Sequence, residues 1–516
     1  MDSCRGEDVN GFLLAARSAS DESVILQSEN PTPIVPLSMP VVEPLKPSNL
    51  NACSEVSRTT IGEKAVTRTF VRDGGGVVSS ADWQQARCTL PACNDPFATL
   101  RRELLSSVLT KDVVGRFKAR ALNPSKEEFF SSSEITALRQ KVQGWLETRL
   151  GHPVPDTVAE GQPFALHIMR GVALVMKDID VSLIDSLEAG VKTGVLDEVP
   201  ASGVWRTVEN LEAVDVDLVL NESNWASADS KPEVTQRLVD AELKEGFIFE
   251  VESLQKAKEL FGDRLAIGKL GVVSVAGKDD RLVCDSTASG CNPRVRFAER
   301  AEVPQISDLG ECFDRAGAAA PEWTLFILDV KAAHKRVRLH PSEYGLNLFW
   351  SGGRLFGYRV AHFGGTWAAY WWGRTGALLL RMVHQILCLP HAGLIYVDDL
   401  LLAFRKTVGV PMALLTIALL VAVGVPLSWN KMKFGPECSW IGFELDLRKE
   451  FRISFPSGSR PDWSHVWSLC VGAAIGSPGS SWKRTSGSSV GQQTPSRCRG
   501  RFCIVFTSYC VLRRRS

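Results

Sequence analysis

Residues 394–402 read Leu-Ile-Tyr-Val-Asp-Asp-Leu-Leu-Leu, two adjacent carboxylates between two apolar, β-prone runs. This pattern predicts a strand, a tight turn carrying Asp398 and Asp399, and a second strand. Two carboxylates at a hairpin tip, with a third from a neighbouring strand, can hold two Mg²⁺ ions about 3.5–4 Å apart, the spacing used in phosphoryl transfer. The motif alone is also compatible with a solvated turn.

A third carboxylate is expected upstream of this pair. Residues 324–330 form an apolar run of strand length that reaches Asp329 near its end, and the helix-compatible residues 331–336 follow. Oxygen ligands without His or Cys suit Mg²⁺ at a nucleotide site better than they suit zinc. The alternative interpretation is that Asp329 only caps the following helix.

The order of several further segments resembles the reverse transcriptases of retroelements. Most of residues 266–455 follows that family's motifs, and their shared order is more specific than any one of them. The matching segments are 281–292 (fingers), 329–337 (first palm motif), 338–353, 363–369 (Phe-Gly-Gly-Thr-Trp-Ala-Ala), 396–399 (Tyr-Val-Asp-Asp), 424–431 and 440–442 (primer grip). Residues 333–336 and 370–374 look closest to a divergent group of retroelement-like reading frames from single-celled eukaryotes.

The resemblance implies a fold, an activity and a set of site residues. The fold is α+β, a right-hand polymerase with an antiparallel palm sheet, fingers and an incomplete thumb. The activity is RNA-directed DNA synthesis by two-metal nucleotidyl transfer, with a primed nucleic-acid template and deoxynucleoside triphosphates as partners. Two Mg²⁺ ions are the expected cofactors, and Mn²⁺ can replace them. The implied metal-site residues are Asp329, Val330, Asp398 and Asp399; the implied proton donor to the leaving group is Lys431; the implied nucleotide-site residues are Lys278, Arg281, His334, Phe363 and Gly364.

Several residues depart from the family pattern. His334 stands where the family usually has Phe or Tyr, the side chain that excludes a ribose 2′-hydroxyl, and Gly373 falls where Gln is common. His362, Trp367 and Ala369 replace the usual Pro, Asn and Pro. A non-catalytic, nucleic-acid-binding descendant is therefore an alternative. An RNA-dependent RNA polymerase is a weaker one, because that class usually carries Gly-Asp-Asp rather than Tyr-Val-Asp-Asp.

Composition limits the remaining possibilities. The chain has 516 residues, 45% of them hydrophobic, which is enough for two or three domains with a sizeable core. Its formal charge is only +1, so a nucleic-acid footprint has to be local. The alternative for these basic residues is an ordinary solvated face. The candidates are Arg264, Lys269, Lys278, Arg281, Arg294, Arg296, Arg300, Lys331, Lys335, Arg336 and Arg338.

The sequence predicts an intracellular protein, cytoplasmic or nuclear. Its 13 cysteines are irregularly spaced and its first residues lack a secretory pattern. Residues 408–429 are almost wholly apolar, but Pro411 and Pro426 leave an uninterrupted run too short to cross a bilayer. We expect this run to be a helix buried beneath the palm sheet rather than a transmembrane segment.

Composition shifts divide the chain into five segments. Helices are expected at Pro96–Val114, Ser133–Leu150 and Glu233–Gly246. The last segment lacks the periodicity of a thumb, which either a reading-frame shift near Val471 or a natural flexible tail explains. The predicted segments are 1–95 (loosely ordered leader), 96–225 (helical extension), 226–301 (fingers), 302–455 (palm with primer-grip hairpin) and 456–516 (Ser/Gly/Arg-rich tail).

Overall fold

A computed structural model describes residues 95–159, 161–208, 214, 216–275, 277–304, 308–309 and 320–454, and the backbone of residues 69–72 and 76–79. The last two stretches are paired strands, an antiparallel hairpin within the segment predicted as a leader, and the sequence reading missed it. The rest of that leader, and residues 455–516 with the predicted tail, lie outside the described residues.

The described residues combine helices with several sheets, so the fold is mixed α+β. The helices are α1 (Ala98–Val108), α2 (Lys111–Leu122), α3 (Ser132–Leu150), α4 (Leu166–Met176), α5 (Ser182–Ala189), α6 (Ala226–Asp229), α7 (Pro232–Lys244), α8 (Leu254–Phe261), α9 (Cys291–Arg294), α10 (Thr366–Leu387) and α11 (Gly409–Ala422). The strands are β1 (Thr69–Arg72), β2 (Gly76–Ser79), β3 (Arg206–Thr207), β4 (Ile248–Val251), β5 (Ile267–Val273), β6 (Arg281–Asp285), β7 (Glu299–Arg300), β8 (Trp323–Asp329), β9 (Leu348–Ser351), β10 (Arg354–Tyr358), β11 (His391–Tyr396), β12 (Asp399–Arg405), β13 (Lys433–Gly435), β14 (Glu437–Trp440), β15 (Phe443–Asp446) and β16 (Arg452–Ser454).

Helices α1, α2 and α3 correspond to two helices predicted from the sequence. The single helix predicted at Pro96–Val114 is wrong: α1 ends at Val108 and α2 begins at Lys111. The break occurs because Thr110 is extended and its hydroxyl accepts a hydrogen bond from the Val113 N–H, which starts a new helix. The helix predicted at Ser133–Leu150 is confirmed as α3, which begins with a capping box between Ser131 and Glu134.

The four-stranded sheet has the order β11-β12-β8-β13, and all of its pairs are antiparallel. Every residue of β8 is buried. Phe326 and Leu328 pack into the core that contains α10 and α11, whereas Leu325 and Ile327 pack against the smaller sheet β14-β15-β16. Because successive side chains of a strand point to opposite faces, a continuous apolar run is what a sheet covered on both faces requires.

A second sheet has five strands in the order β4-β10-β9-β5-β6, and its strands β9 and β10 lie between β8 and β11 in the chain. The pair β5–β9 is parallel, and the other pairs are antiparallel. The amphipathic helix predicted at Glu233–Gly246 is confirmed as α7, which packs against this sheet. The hairpin β5–β6 carries Arg281 at the first position of β6.

Helix α11 is apolar on every side and is buried on every side by its own chain. All residues from Met412 to Ala422 are buried, with α1, α3 and α10 packed around them. The helix begins at Gly409, earlier than predicted, because Pro411 lies in the first turn, where a missing N–H costs no intrahelical bond. Among the described residues, no helix is both long and apolar enough to span a membrane.

Two buried ion pairs join the α4–α5 connection to α10. The Arg374 guanidinium donates to both carboxylate oxygens of Asp180, at 3.0 and 2.5 Å. Arg381 donates in the same way to Asp178, at 2.5 and 2.7 Å. All four side chains are at most 4% exposed. The α4–α5 connection and helix α10 are therefore held together by charge pairs that lack solvent screening.

Candidate active site

Three carboxylates meet at one end of the antiparallel sheet. The register places Asp399 directly opposite Asp329 on the neighbouring strand, and Asp398 lies in the turn between β11 and β12. One oxygen from each of the three carboxylates lies within 4.8 Å of the others. The structure thus brings together the three acidic residues that the sequence predicts. Hard oxygen ligands at this spacing fit a divalent cation such as Mg²⁺.

The backbone holds the hairpin tip in a strained conformation. Val397 has a φ of +52°, which for a β-branched residue costs about 1–3 kcal/mol. The Trp372 indole donates to the Val397 carbonyl, and the Val330 N–H donates to the Asp398 carbonyl at 2.8 Å. These bonds fix the position of Asp398 relative to β8 and link Val330, a predicted member of the metal site, to the tip through its backbone.

Lys431 lies beside the carboxylates rather than free in solvent. Lys431 is the last residue of a short 3₁₀ turn over Trp429–Lys431, and its ammonium is 2.5 Å from Oδ2 of Asp329. The Ser428 N–H, in the preceding segment, donates to the Asp329 carbonyl at 2.8 Å, so the turn is fixed to β8. The Lys431 side chain remains 53% exposed. It can therefore rotate away from Asp329 when another cation approaches.

The carboxylates carry more negative charge than their surroundings neutralise. Burial, followed by the charges of Asp398 and Asp329, raises the pKa of Asp399 to about 7. Burial and Asp329 also raise the pKa of Asp398. Burial lowers the pKa of Lys431, but the hydrogen bond to Asp329 and the charges of the three carboxylates together outweigh burial, so the pKa is raised. A bound divalent cation would remove this repulsion.

These shifts predict a pH-dependent loss of stability in the metal-free protein. The folded pKa of Asp399, about 7, lies above its ordinary value of 3.8, so between these values the folded state binds more protons than the unfolded state. Stability contributed by the protonated form is complete below pH about 4 and is lost as the pH rises to about 7. In chelating buffer, we expect the Tm of the Asp399→Asn variant to exceed that of the parent by an amount that grows from pH 5 to pH 8.

The comparison between parent and variant removes contributions from groups elsewhere in the chain. Added Mg²⁺ should close the gap at pH 8, because it binds the ionised native site and stabilises only the parent. Differential scanning fluorimetry across this pH range measures both effects. A difference in Tm that stays constant with pH would contradict the assignment of the raised pKa.

The glycine-rich segment after β10 is fixed against strand β6. A Cβ atom on Gly364 would lie 1.9 Å from the Cys284 carbonyl oxygen, and its φ is +112°, so only glycine fits. The Cys284 N–H donates to the Phe363 carbonyl at 3.0 Å. The Asn292 side chain donates to the Gly364 carbonyl at 2.7 Å and accepts the Thr366 N–H at 2.9 Å. Phe363 and Gly364 are thus placed beside the strand that carries Arg281.

His334 contributes a neutral imidazole next to this segment. Burial, followed by the charge of Lys335, lowers the pKa of His334 to about 4. Its ring lies edge-on to Phe363, with centroids 5.3 Å apart. Its Nε2 is inaccessible to solvent and has no hydrogen-bond partner in the described part of the chain. A buried polar atom in this state has an unmet hydrogen bond.

The predicted basic residues fall into two groups. Arg281 is exposed at the start of β6, and its charge acts on the pKa of Asp398, whereas Lys278 lies exposed in the preceding turn. Arg294 and Arg296 instead donate to backbone carbonyls of Val216 and Leu196, at 3.1 and 2.9 Å. Lys335 pairs with the buried Glu242. The last three residues stabilise the fold, so the predicted basic footprint is smaller than the sequence indicates.

Two of the three unusual residues at positions 362–369 are inside the core. His362 and Trp367 are fully buried. The His362 ring stacks on Tyr358 at 4.4 Å and meets the edge of Trp367 at 5.6 Å. The rings of His362 and Trp367 thus pack against one another in the core. These departures from the family pattern therefore change the packing behind the site and do not place new side chains on its surface.

Sequence reasoning missed three residues that support the carboxylates. The indole of Trp440 donates to the Asp399 carbonyl at 3.4 Å, and the indole of Trp372 donates to the turn at Val397. The charge of Lys433 opposes the rise in the pKa of Asp399. Only Lys433 had a sequence signal, since it stands two residues after Lys431 in the same short basic segment. The indole donors become visible only through tertiary contacts.

Comparison with known proteins finds similar solved structures but no matching family model or curated protein. Similar solved structures include the foamy viral protease-reverse transcriptase dRH in complex with double-stranded DNA, at 11% identity and a TM-score of 0.37, covering 67% of this chain and 49% of that one.

Two further matches are to related proteins. The foamy viral protease-reverse transcriptase in complex with an RNA/DNA hybrid matches at 12% identity and a TM-score of 0.37, covering 65% of this chain and 39% of that one. The native prototype foamy virus protease-reverse transcriptase matches at 16% identity and a TM-score of 0.33, covering 48% and 29%. The chain thus spans about half of the first of these proteins and less of the other two. Similarity this weak does not transfer a residue role.

Proposed function

We propose that this chain is an RNA-directed DNA polymerase domain of a retroelement, which adds deoxynucleotides to a primer 3′-hydroxyl. The observation that carries the proposal is the meeting of Asp329, Asp398 and Asp399 on register-paired strands, with Lys431 in contact. Two Mg²⁺ ions, when bound, would activate the 3′-hydroxyl and neutralise the leaving pyrophosphate. The remaining chemistry is assigned to side chains of the chain itself.

In this mechanism each side chain has one task. Asp329 and Asp398 hold the metal site, with the Val330 backbone beside them, and Asp399 tunes its charge. Arg281, with Lys278 nearby in sequence, binds the triphosphate, and Phe363 and Gly364 support the nascent base pair. Lys431, once displaced from Asp329, donates a proton to the leaving pyrophosphate, and a positioned general acid typically adds roughly 10²–10⁴-fold to a rate.

Primer extension tests the proposal directly. The full chain is incubated with a labelled primer on RNA and on DNA templates, with deoxy- and ribonucleoside triphosphates in parallel reactions. Template-directed addition of deoxynucleotides on RNA supports the proposal. Addition of ribonucleotides alone would favour an RNA polymerase. No addition, with Mg²⁺ or Mn²⁺, by a folded chain that still binds the primed template would contradict it.

The Lys431–Asp329 ion pair favours a second candidate, nucleic-acid binding without catalysis. An ammonium already neutralises the buried Asp329 carboxylate, as a chain that no longer binds metal would require. Mn²⁺ binding, followed by electron paramagnetic resonance, separates the two candidates. A catalytic site binds Mn²⁺ in the parent and loses it in Asp329→Asn, whereas a non-catalytic chain shows no binding that depends on Asp329.

His334 is expected to control the choice of sugar. Its imidazole is smaller than a phenol ring, and its Nε2 is free of partners in the described structure, so a 2′-hydroxyl can be accepted rather than excluded. His334→Phe should raise the preference for deoxynucleotides by roughly tenfold, and His334→Ala should lower it. The measurement is the ratio of kcat/KM for matched deoxy- and ribonucleotides. Equal ratios in both variants and the parent would show that this residue is not the determinant.

A further inference from the structure

Two adjacent tryptophans of α10 donate hydrogen bonds to two different parts of the chain. The Trp372 indole N–H donates to the Val397 carbonyl, at the tip of the hairpin that carries the acidic residues. The Trp371 indole N–H donates to the Lys192 carbonyl at 2.7 Å, in the segment that follows α5. Both indoles are buried. Successive residues of a helix point about 100° apart, so only one of these two similar side chains can reach the hairpin.

Helix α10 is fixed in place close to Trp372. Two residues later, Arg374 forms the buried ion pair with Asp180. One turn later, a Cβ on Gly376 would lie 3.2 Å from Cδ1 of Ile395, so the backbone of the helix lies against β11. A helix held in this way cannot follow the hairpin tip if the tip moves. The hydrogen bond from Trp372 is therefore made in one conformation of the tip and lost in others.

The conformation of the tip needs such a contact. Val397 has a φ of +52°, in the left-handed region that β-branched side chains avoid. It is followed directly by Asp398, whose carbonyl accepts the Val330 N–H at 2.8 Å. If Val397 changed to a negative φ, the chain would leave the tip in another direction and Asp398 would turn away from Asp329. The position of the Asp398 carboxylate thus depends on a backbone conformation that Val397 does not favour by itself.

We propose that Trp372 is a positioning residue, whose indole N–H keeps Val397 in the left-handed conformation and so sets the affinity of the carboxylates for a divalent cation. The inference rests on the proposed function, because it takes Asp329, Asp398 and Asp399 as a metal site. Only molecules with the tip in this conformation bring the three carboxylates together, and the apparent Kd equals the intrinsic Kd divided by the fraction of such molecules. Loss of the N–H lowers this fraction and therefore weakens metal binding.

Mn²⁺ binding to the full chain, followed by electron paramagnetic resonance, tests the proposal. Trp372→Phe removes the N–H and keeps an aromatic ring in the core. It should raise the Kd for Mn²⁺ by roughly 5- to 30-fold, the range for one lost hydrogen bond with its carbonyl left unpaired. Replacement of Trp372 by 3-benzothienylalanine, in which sulfur takes the place of the N–H, keeps the shape of the indole. It should give the same loss, and it covers the case in which Trp372→Phe does not fold.

Trp371→Phe is the matched control, since it removes the neighbouring buried indole N–H and leaves the hairpin tip untouched. Its Tm should fall about as far as that of Trp372→Phe, while its Kd for Mn²⁺ should stay within about twofold of the parent. A Kd that rises equally in both variants would show that Trp372 acts only through packing of the core, and would overturn the proposal. An unchanged Kd in Trp372→Phe would overturn it as well.

A second substitution tests the strain at the tip. Glycine adopts a positive φ without steric cost, so Val397→Gly lets the tip keep its conformation without help from Trp372. The Kd ratio between Trp372→Phe/Val397→Gly and Val397→Gly should therefore be below about threefold, smaller than the ratio between Trp372→Phe and the parent. Two equal ratios would show that the indole and the backbone of Val397 act independently, contrary to the proposal.

Hydrogen exchange in a chelating buffer measures the position of the tip without metal. The Val330 amide, which donates to the Asp398 carbonyl, should exchange roughly 5- to 30-fold faster in Trp372→Phe than in the parent, and not in Trp371→Phe. If the chain adds nucleotides while Trp372→Phe changes neither the Kd nor the exchange, only this inference fails. If Mn²⁺ binding depends on Trp372 but no nucleotide is added, the proposed polymerase activity fails and the positioning role stands. A parent that binds no Mn²⁺ would overturn both the metal site and the role of Trp372 in its affinity.

Discussion

Asp329→Ala and Asp398→Ala should each abolish nucleotide addition while the protein still binds primed template. Loss of one metal ligand removes several kcal/mol of transition-state stabilisation, which corresponds to a fall of about 10³-fold in rate. The double variant should be no less active than either single one, because each change already disables the same site. Single-nucleotide addition, measured with saturating Mg²⁺, gives the rates, and filter binding gives the affinity for the template.

Asp240→Ala is the matched control, since it removes an exposed carboxylate from α7 without touching the site. Its rate should equal that of the parent. Asp329→Asn and Asp398→Asn keep the side-chain shape while removing the charge, and they should be as inactive as the alanine variants. Activity that survives in Asp398→Ala would contradict the two-metal assignment.

Arg374→Met should be among the most destabilising single changes in the described part of the chain, at about 3–5 kcal/mol. The substitution leaves the Asp180 carboxylate buried without its bidentate partner, and both side chains are at most 4% exposed. Burial already raises the pKa of Asp180 even with Arg374 present. The change in the denaturant midpoint and in Tm, followed by tryptophan fluorescence, measures the loss.

A solvent-exposed pair supplies the comparison. Arg354 and Glu250 form an ion pair at 3.1 Å with both side chains 43% exposed, so Arg354→Met should cost no more than about 1 kcal/mol. The double variant Arg374→Met/Asp180→Leu should recover part of the lost stability, because it removes the uncompensated charge. If Arg374→Met is no more destabilising than Arg354→Met, the pair does not hold the helical extension against α10.

The acidic residues illustrate how far local sequence patterns reach. The run that ends at Asp329 and the apolar runs on either side of Asp398 and Asp399 each predict a strand, because period and composition are local properties. The structure confirms all three strands as β8, β11 and β12. Their register, with Asp399 opposite Asp329, follows from the packing of both sheet faces, since a one-residue slip would turn buried side chains to the wrong face.

Other features could not be predicted from a local sequence pattern. His362 and Trp367 replace the Pro and Asn that are usual in the family, yet their two rings pack against one another in the core. Arg294 and Arg296 look like nucleic-acid contacts, yet they satisfy backbone carbonyls. A basic or aromatic residue has the same identity whether it faces solvent or the interior, so its task depends on its neighbours in space.

The sequence by itself determined the strands around the three carboxylates, the apolar helix α11 and the helix α3, because the hydrophobic period acts over a few residues. Only the tertiary structure decided that Lys431 reaches Asp329, that Arg374 meets Asp180 194 residues away, and that Trp225 lies on β5 beside Asp285. These contacts depend on how segments that are far apart in the sequence pack together. That packing is determined by the burial of the whole core and not by any single stretch of the chain.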